Sequence, residues 1–257
     1  MKILVTIKLV VDPDIPQNKF KINHQTKYQE IEDNPIVISS YDENALEIAL
    51  KLKDKYNFNV DIITLTSLEY SQPIKKALAM GADKAFILRS NQHYIETKTK
   101  AQIIYNRIKD KEYDLIITGF ESADWGSRTF APMLASFLNY PIITSAYKIE
   151  KNDNHLIVHK LTENGTLILK TPPKIVISIT THQENQPRYP KVKDIMLASK
   201  KPIIIEEINL ENNQNSNKII KLEQPQSQIN CEIIQGKDVT EKAQKLFLKL
   251  KELKILN

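Results

Sequence analysis

The chain is short of the residues that make covalent cross-links and membrane spans. Its 257 residues include a single cysteine, Cys231, which excludes an internal disulfide framework and is typical of proteins from a reducing cytosol. No uninterrupted apolar run approaches the roughly 20 residues that a helix needs to cross a bilayer. No signal-peptide pattern precedes the first apolar segment. We therefore expect a cytoplasmic protein that is not inserted in a membrane.

The motifs of the common catalytic sites are also missing. The chain has only five glycines, and they form neither the Gly-x-Gly-x-x-Gly fingerprint nor the loop of a P-loop nucleotidase. There is no Gly-x-Ser-x-Gly nucleophile elbow, and the five histidines are scattered. These absences predict no catalytic residue and no metal site. The pattern favours a protein that holds a ligand and presents it to others.

The net charge of +5 raises the question of nucleic-acid binding. The lysines alternate with acidic residues along helix faces, as in residues 51–55 and 98–111. No aromatic residues are interleaved with them to stack on bases. We therefore expect no nucleic-acid partner.

The order of apolar patterns predicts an α/β fold. Strand-like runs at residues 3–10, 60–65, 85–88 and 114–118 alternate with amphipathic helical patterns at 43–53, 71–80, 97–109 and 128–138. This alternation indicates an open, mostly parallel, doubly wound sheet with helices on both faces, like that of the adenine-nucleotide alpha-hydrolases.

The pattern changes after residue 141. Residues 142–149, 155–161 and 166–170 are typical of antiparallel strands, with a turn at Asn164-Gly165 between the last two. Residues 209–230 are polar, and residues 239–256 form an amphipathic helical pattern. We therefore predict a nucleotide-binding core at 1–204 with a small hairpin insertion. An extended C-terminal arm at 205–257 would end in a docking helix.

A ligand crevice is expected where the strands of an open α/β sheet end, at the topological switch point. The segments that meet there in this prediction are residues 6–8 with 10–13, 39–42, 66–67 and 119–129. Residues 119–129, called the crevice loop, leave a strand and enter a helix, so backbone N–H groups are available to a phosphate. Gly126 allows a close approach, Ser127 offers a hydroxyl and Arg128 a guanidinium.

A second surface is predicted after the apolar run 175–179. Residues 184–201, called the docking segment, are polar and basic and contain two prolines. The Pro-Arg-Tyr turn at 187–189, the apolar Val192 and the pair Lys200-Lys201 contain no nucleophile with a base. The segment therefore favours docking of a partner over catalysis.

Four segments together resemble the beta subunits of electron transfer flavoproteins. Residues 8–13 (Lys-Leu-Val-Val-Asp-Pro) and 41–43 (Tyr-Asp-Glu) are similar to two amino-terminal motifs of that family. Residues 77–83 (Ala-Leu-Ala-Met-Gly-Ala-Asp) match a third, and residues 185–201 complete the set. The resemblance covers residues 1 to about 202.

The resemblance implies a heterodimer with a larger alpha subunit. One FAD would lie mainly on alpha, near the interface with beta, and a structural AMP would lie in the crevice of beta. The complex would carry electrons from acyl-CoA or other flavin-linked dehydrogenases, as in fatty acid oxidation, to a quinone oxidoreductase or another acceptor. The cofactor supplies the redox chemistry, so the beta chain needs no catalytic residues of its own.

The resemblance also assigns residues to both surfaces. Tyr41 and the region of Pro13 would approach the flavin, and Val192 would take the place of the family's exposed leucine anchor. The cofactor-binding residues would be Thr6, Ser39, Ser40, Tyr41, Asp42, Thr66, Ser67, Gly119, Ser122, Asp124, Trp125, Gly126, Ser127, Arg128 and Thr129. The docking residues would be Arg188, Tyr189, Val192, Ile195, Met196, Lys200 and Lys201.

The crevice loop departs from the family's common Asp-Asp-Asp-x-Asn-Gln-Thr-Gly, because residues 124–131 read Asp-Trp-Gly-Ser-Arg-Thr-Phe-Ala. The loop of the electron-bifurcating branch, which places a second FAD where AMP would lie, shares only Asp124 and Pro132. Three alternatives for the function of the chain therefore stay open. They are a carrier subunit with AMP, a bifurcating subunit with a second FAD, and a stand-alone adenine-nucleotide-binding regulatory module.

Overall fold

The computed structural model describes residues 1–16, 19–23, 28–30, 34–210, 217, 219–223 and 231–256. The strands are β1 (Lys2–Thr6), β2 (Leu9–Val11), β3 (Ile22–Asn23), β4 (Tyr28–Gln29), β5 (Ile36–Ile38), β6 (Asn59–Thr66), β7 (Lys84–Ser90), β8 (Leu115–Gly119), β9 (Ile142–Asn152), β10 (His155–Thr162), β11 (Gly165–Thr171), β12 (Ile175–Ile179) and β13 (Ile203–Ile208). The helices are α1 (Ser40–Tyr56), α2 (Ser71–Met80), α3 (Thr97–Ile108), α4 (Phe130–Leu138), α5 (Val192–Ala198) and α6 (Val239–Glu252).

The main sheet has nine strands in the order β11-β10-β9-β12-β8-β1-β6-β7-β13. All neighbours from β9 to β13 in this order are parallel, and β10 and β11 extend the sheet as an antiparallel hairpin. This architecture confirms the predicted fold class. The hairpin turn lies between Thr162 and Gly165, the last pair in register.

Successive side chains along the central strands pack into two cores, one on each face of the sheet. Ile3 and Val5 of β1 pack with α1 and α2 residues such as Leu46 and Leu78. Leu4, between them, packs with residues of α3 and α4. The central strands are buried on both faces, which explains why the sequence shows continuous apolar runs there rather than alternation. β12 is buried at all five positions.

Helix α1 shows how local sequence sets the helix ends. Ser39 is its N-cap residue, and Asp42 lies in its first turn, where a negative charge complements the helix dipole. Lys53 and Lys55 occupy the last turn, and Asn57 ends the helix in the left-handed conformation with a φ of 56°. The helix is therefore longer than the predicted residues 43–53.

Several predicted elements differ from the structure. Residues 3–10 form two strands, and the second, β2, pairs antiparallel with β5 outside the main sheet. Val192 begins the short helix α5, which the sequence did not indicate. The sequence did not indicate the edge strand β13 either, because its apolar run, Ile203 to Ile205, is only three residues long.

The described residues form two compact units, Met1–Leu222 and Glu223–Asn257. The second unit contains α6, where Asp238 Oδ1 accepts a hydrogen bond from the Glu241 backbone N–H at 2.8 Å. No residue of this fully described helix is buried, and Leu246 and Phe247 are exposed. Within the predicted polar stretch 209–230, residues 211–216, 218 and 224–230 lie outside the described residues. None of the described helices is long and apolar enough to cross a membrane.

Candidate nucleotide crevice and docking segment

A crevice opens at the carboxyl ends of β1, β6 and β8. β1 lies between β6 and β8, and the chain changes its direction of winding across the sheet there. This is the topological switch point at which open α/β sheets bind ligands. The crevice is lined by Thr6, Ile7, Lys8, Asp42, Leu65, Tyr94, Ile95, Thr97, Lys100, Ile104, Thr118, Gly119, Phe120, Glu121, Ser122, Trp125, Ser127, Arg128 and Phe130.

Asp42 joins the strand ends beneath the crevice. Its buried carboxylate accepts hydrogen bonds from the backbone N–H groups of Lys8 and Gly119, both at 2.8 Å. Burial raises the pKa of Asp42 to about 7, while these two N–H groups and the Lys8 charge act in the opposite direction. A Cβ at position 119 would collide with this carboxylate and lie 2.9 Å from Cβ of Tyr41. Glycine is therefore required at position 119 by close packing.

The crevice loop is held by an ion pair. Nζ of Lys8 lies 2.6 Å from Oδ1 of Asp124 and donates to Oγ of Ser122 at 3.3 Å. Burial acts to raise the pKa of Asp124, but the Lys8 charge and hydrogen bonds from Lys8, Ser122 and the Trp125 backbone hold it below its usual value. The charge of Lys8 is thus already balanced within the crevice.

Arg128, predicted as a phosphate ligand, is also paired. Its Nε lies 2.7 Å from Oε2 of Glu121, and its guanidinium lies 4.8 Å from the ring centre of Phe120. The hydrogen bond and the charge of Glu121 raise the pKa of Arg128. A phosphate at this position would have to compete with Glu121. The backbone of Arg128 has a φ of 56°, a conformation that costs a residue with a side chain roughly 1–2 kcal/mol.

Aromatic side chains form one wall of the crevice. The rings of Trp125 and Tyr94 lie 5.5 Å apart, tilted by 47°. Tyr28 packs nearby, and its pKa is raised to about 12 by burial and by the charge of Asp124, against the effect of a hydrogen bond with Trp125. Tyr28 also stacks on His93, whose Nδ1 lies 2.9 Å from Oγ of Ser67. Ser67 is therefore engaged by His93.

Lys100 of α3 was missed from the sequence. It lines the crevice, and its pKa is lowered to about 8, first by burial and then by the charge of Lys8, while Asp124 acts in the opposite direction. α3 also carries Lys98, and nothing in the spacing of the two lysines indicates which one faces a ligand. Only the packing of α3 against the sheet distinguishes them.

The docking segment is anchored to the core by two polar residues. The fully buried Asn185 accepts a hydrogen bond from the amide of Asn44 at 3.2 Å and donates to the Thr180 carbonyl oxygen at 2.8 Å. The guanidinium of Arg188 contacts Glu47 at 2.8 and 3.0 Å and Asp54 at 2.8 Å. Arg188 was predicted as a docking residue, and the structure shows its charge bound to α1.

Helix α5 presents an exposed apolar surface above these anchors. Tyr189 is 92% exposed, Val192 76% and Met196 71%, and Ile195 and Leu197 are exposed as well. Lys200 is exposed at the end of the segment. Nζ of Lys201 instead donates to the carbonyl oxygens of Leu78 and Ala82, at 2.8 and 2.7 Å. Lys201 therefore secures the end of α2, while the apolar side chains stay free for contact.

Comparison with known proteins identifies the family. The model of the electron transfer flavoprotein domain matches residues 30–210, which include α1, the crevice loop and the docking segment. The chain belongs to the family of electron transfer flavoprotein beta subunits. This confirms the resemblance noted in the sequence and places the chain among electron-transporting flavoproteins.

Three relatives show the extent of the similarity. The electron transfer flavoprotein subunit beta of Bacillus subtilis is 35% identical over 178 residues, 68% of each chain. That of Thermoanaerobacterium thermosaccharolyticum is 31% identical over 202 residues, 78% of this chain and 76% of the relative. The caffeyl-CoA reductase-Etf complex subunit CarD of Acetobacterium woodii is 30% identical over 267 residues, all of both chains. Similarity to CarD thus includes the carboxy-terminal unit.

The predicted cofactor residues divide into two groups in this beta-subunit fold. Those that line the crevice are Thr6, Asp42, Gly119, Ser122, Trp125, Ser127 and Arg128. Those that lie outside its lining are Ser39, Ser40, Tyr41, Thr66, Ser67, Asp124, Gly126 and Thr129. Several of the second group support the first: Ser39 Oγ accepts a hydrogen bond from the Ala123 N–H at 3.2 Å, and Asp124 binds Lys8. Across the described residues, no group of three or more His, Cys, Asp or Glu side chains could hold a metal ion.

Proposed function

We propose that this chain is the beta subunit of a heterodimeric electron transfer flavoprotein. The heterodimer carries electrons from flavin-linked dehydrogenases, such as acyl-CoA dehydrogenases, to a quinone oxidoreductase or another acceptor. The observation that carries the proposal is the exposed apolar face of α5. The chain before it is fixed to α1 through Asn185 and Arg188, and the chain after it is fixed to the end of α2 through Lys201, so that a partner meets a preformed surface. A rigid surface lowers the entropic cost of each docking event.

The residues of the crevice fit a structural AMP. Lys100 supplies a positive charge that no described carboxylate pairs with, Thr6 and Ser127 supply hydroxyl groups, and Trp125 supplies an aromatic face. The ammonium group can bind the phosphate of AMP, the hydroxyl groups its ribose and the aromatic face its adenine. AMP has no redox chemistry, so its role is to stabilise the fold around the switch point, as a ligand of the native state does.

FAD, shared with the alpha subunit, supplies reversible electron uptake when it is bound. The side chain of Tyr41, at the start of α1, would approach it from the beta side. The pKa of Tyr41 is raised, first by its hydrogen bond with Glu121 and then by burial, so the phenol stays protonated at neutral pH. A neutral hydroxyl that donates to Glu121 adds no charge beside a flavin.

The carboxy-terminal arm, residues 205–257, is proposed to dock on the alpha subunit. Its helix α6 exposes Leu246 and Phe247, and Leu253 directly after the helix is exposed as well; such an apolar stripe needs a partner. Removing residues 223–257, the second unit, should abolish co-purification with the alpha subunit while the first unit stays folded. A truncated chain that still co-purifies would show that the contact lies elsewhere.

Cofactor stoichiometry tests the proposal as a whole. The chain is co-expressed with an alpha subunit of an electron transfer flavoprotein from the same organism, purified and denatured, and the released FAD and AMP are quantified per heterodimer. One FAD and one AMP are expected for a carrier. The absence of both a complex and a flavin would refute the electron-transfer role and favour the stand-alone nucleotide-binding module.

A second FAD in the crevice is the second candidate. It is favoured by the full-length similarity to CarD, whose name places it in a caffeyl-CoA reductase-Etf complex. Two FAD and no AMP per heterodimer would select this candidate, which corresponds to the electron-bifurcating alternative.

A further inference from the structure

The crevice contains three cationic side chains, and two of them are neutralised. Lys8 is paired with Asp124 at 2.6 Å and Arg128 with Glu121 at 2.7 Å. Lys100 is the third, and it forms neither an ion pair nor a side-chain hydrogen bond with any residue that the structure describes. A desolvated ammonium group without a partner is costly.

The charges that face Lys100 leave an excess of positive charge in the crevice. Lys8 repels it and Asp124 attracts it, and because these two form one ion pair their effects largely cancel. The Glu121–Arg128 pair is likewise neutral. Asp42 turns its carboxylate toward the backbone N–H groups of Lys8 and Gly119. Among the described residues that line the crevice, Lys100 is therefore the one cation that no carboxylate pairs with.

We infer that Lys100 binds the terminal phosphate of an adenine mononucleotide in this crevice. The inference rests on the proposed function, because it presupposes a nucleotide there. A phosphate monoester carries about −1.5 to −2 charges at neutral pH and three acceptor oxygens, which suits a compact ammonium donor. Arg128 and Lys8 act as supports of the crevice loop, since Glu121 and Asp124 already occupy them.

The test compares phosphate-bearing and phosphate-free ligands. The full chain is freed of resident nucleotide, and its affinities for AMP, adenosine and FAD are measured by calorimetric titration, for wild type and for Lys100→Met. Loss of a charge-assisted hydrogen bond should weaken AMP binding on the order of 10- to 100-fold. Adenosine, which lacks the phosphate, should bind both proteins equally. Lys100→Arg, which keeps the charge, should recover part of the AMP affinity.

Lys98→Met is the matched control. Lys98 lies on the same helix, is exposed and is not part of the crevice lining, so its removal changes the net charge equally without touching the ligand. Its AMP affinity should stay within about twofold of wild type. Without nucleotide, Lys100→Met should unfold at the same or a higher urea concentration than wild type, because it removes a desolvated charge. A misfolded variant is thereby distinguished from one that has lost a contact.

Different negative results distinguish the inference about Lys100 from the proposed function on which it rests. Wild type that binds neither AMP nor FAD would overturn both. AMP affinity of Lys100→Met equal to that of wild type, or an equal loss of AMP and adenosine affinity, would overturn the role of Lys100 and leave the AMP proposal standing. Tight binding of FAD with no binding of AMP would overturn the assignment to a phosphate monoester.

Discussion

Arg188→Met should destabilise the protein far more than an ordinary surface substitution. Arg188 donates to Glu47 through Nε, through Nη2 and through its backbone N–H, at 2.8, 3.0 and 3.1 Å. The hydrogen bond to Glu47 is the main cause of its raised pKa. Methionine keeps much of the side-chain volume and removes the guanidinium. Glu47 would then be left as a carboxylate without its bidentate partner.

The magnitude follows from the burial of the two partners. The Glu47 side chain is 4% exposed and that of Arg188 is 31% exposed. Removing one partner of a buried ion pair costs about 3–5 kcal/mol, and the partial exposure of Arg188 places the expected loss near the lower end, about 3 kcal/mol. Arg89, paired with Glu207 at 3.6 Å on the surface, is the matched control. Arg89→Met should cost less than about 1 kcal/mol.

A double-mutant cycle tests this magnitude. The unfolding free energy in urea is measured for wild type, Arg188→Met, Glu47→Gln and the double variant. If the orphaned carboxylate causes the loss, the double variant should recover at least about 1 kcal/mol relative to the sum of the single variants. A loss below 1 kcal/mol in Arg188→Met, or strict additivity of the two single losses, would refute the reasoning. The docking segment would then be held mainly by Asn185.

Three further predictions concern the crevice and the α5 surface. Gly119→Ala should lower the unfolding free energy in urea by about 3 kcal/mol, because its Cβ would collide with Asp42 and crowd the Tyr41 backbone at 3.0 Å. Gly126→Ala is the control: its Cβ would meet only Oε2 of Glu121 at 3.6 Å, and its φ of +57° should make the loss about 1–2 kcal/mol. Equal losses in the two variants would contradict the clash at position 119. The pKa of Asp42 is about 7 in the folded state and about 3.9 when unfolded. Its contribution to stability is therefore fully present below about pH 4 and is lost as the pH rises through 7. The unfolding free energy of wild type should fall over this range relative to Asp42→Asn, and parallel pH profiles would contradict the assignment. Val192→Ala should slow reduction of the holoprotein by its dehydrogenase severalfold and change stability by less than about 0.5 kcal/mol; loss of FAD instead would mean that Val192 supports the flavin.

The fold class could be predicted from the sequence because its determinants are local. A parallel sheet buried on both faces needs continuous apolar strands, and residues 60–65, 114–118 and 175–179 show them without ambiguity. The family could be recognised because its motifs lie at or near the ends of elements: residues 8–13 contain β2, residues 41–43 lie in the first turn of α1 and residues 77–83 contain the end of α2. β13 escaped prediction because its pairing with β7 joins residues far apart in the chain, and its apolar run of three isoleucines is too short to indicate a buried strand.

The candidate site was predicted in position but not in its chemistry. Strand ends at a switch point follow from topology, so Thr6 and Gly119 could be placed. The ion pairs could not be predicted, because Lys8 meets Asp124 across 116 positions of sequence, and Arg128 pairs with Glu121 across a loop that contains no regular element. For the same reason, Lys100 was missed as a crevice residue, and Arg188 was expected to be available to a partner. A basic residue is available to a ligand only if no carboxylate reaches it, and that depends on tertiary packing.

Helix α1 supports both surfaces. Asp42 in its first turn holds the strand ends of the crevice, and Asn44 and Glu47 hold the docking segment. At 1.5 Å per residue, these anchors lie within roughly 8 Å along the helix axis. Nine of the 17 residues of α1 are buried, including all from Asn44 to Leu50, and close packing of these side chains keeps the helix rigid over that distance. The crevice and the docking segment are therefore tied to one rigid helix, and a ligand that stabilises the start of α1 should also stabilise the anchors of the docking segment.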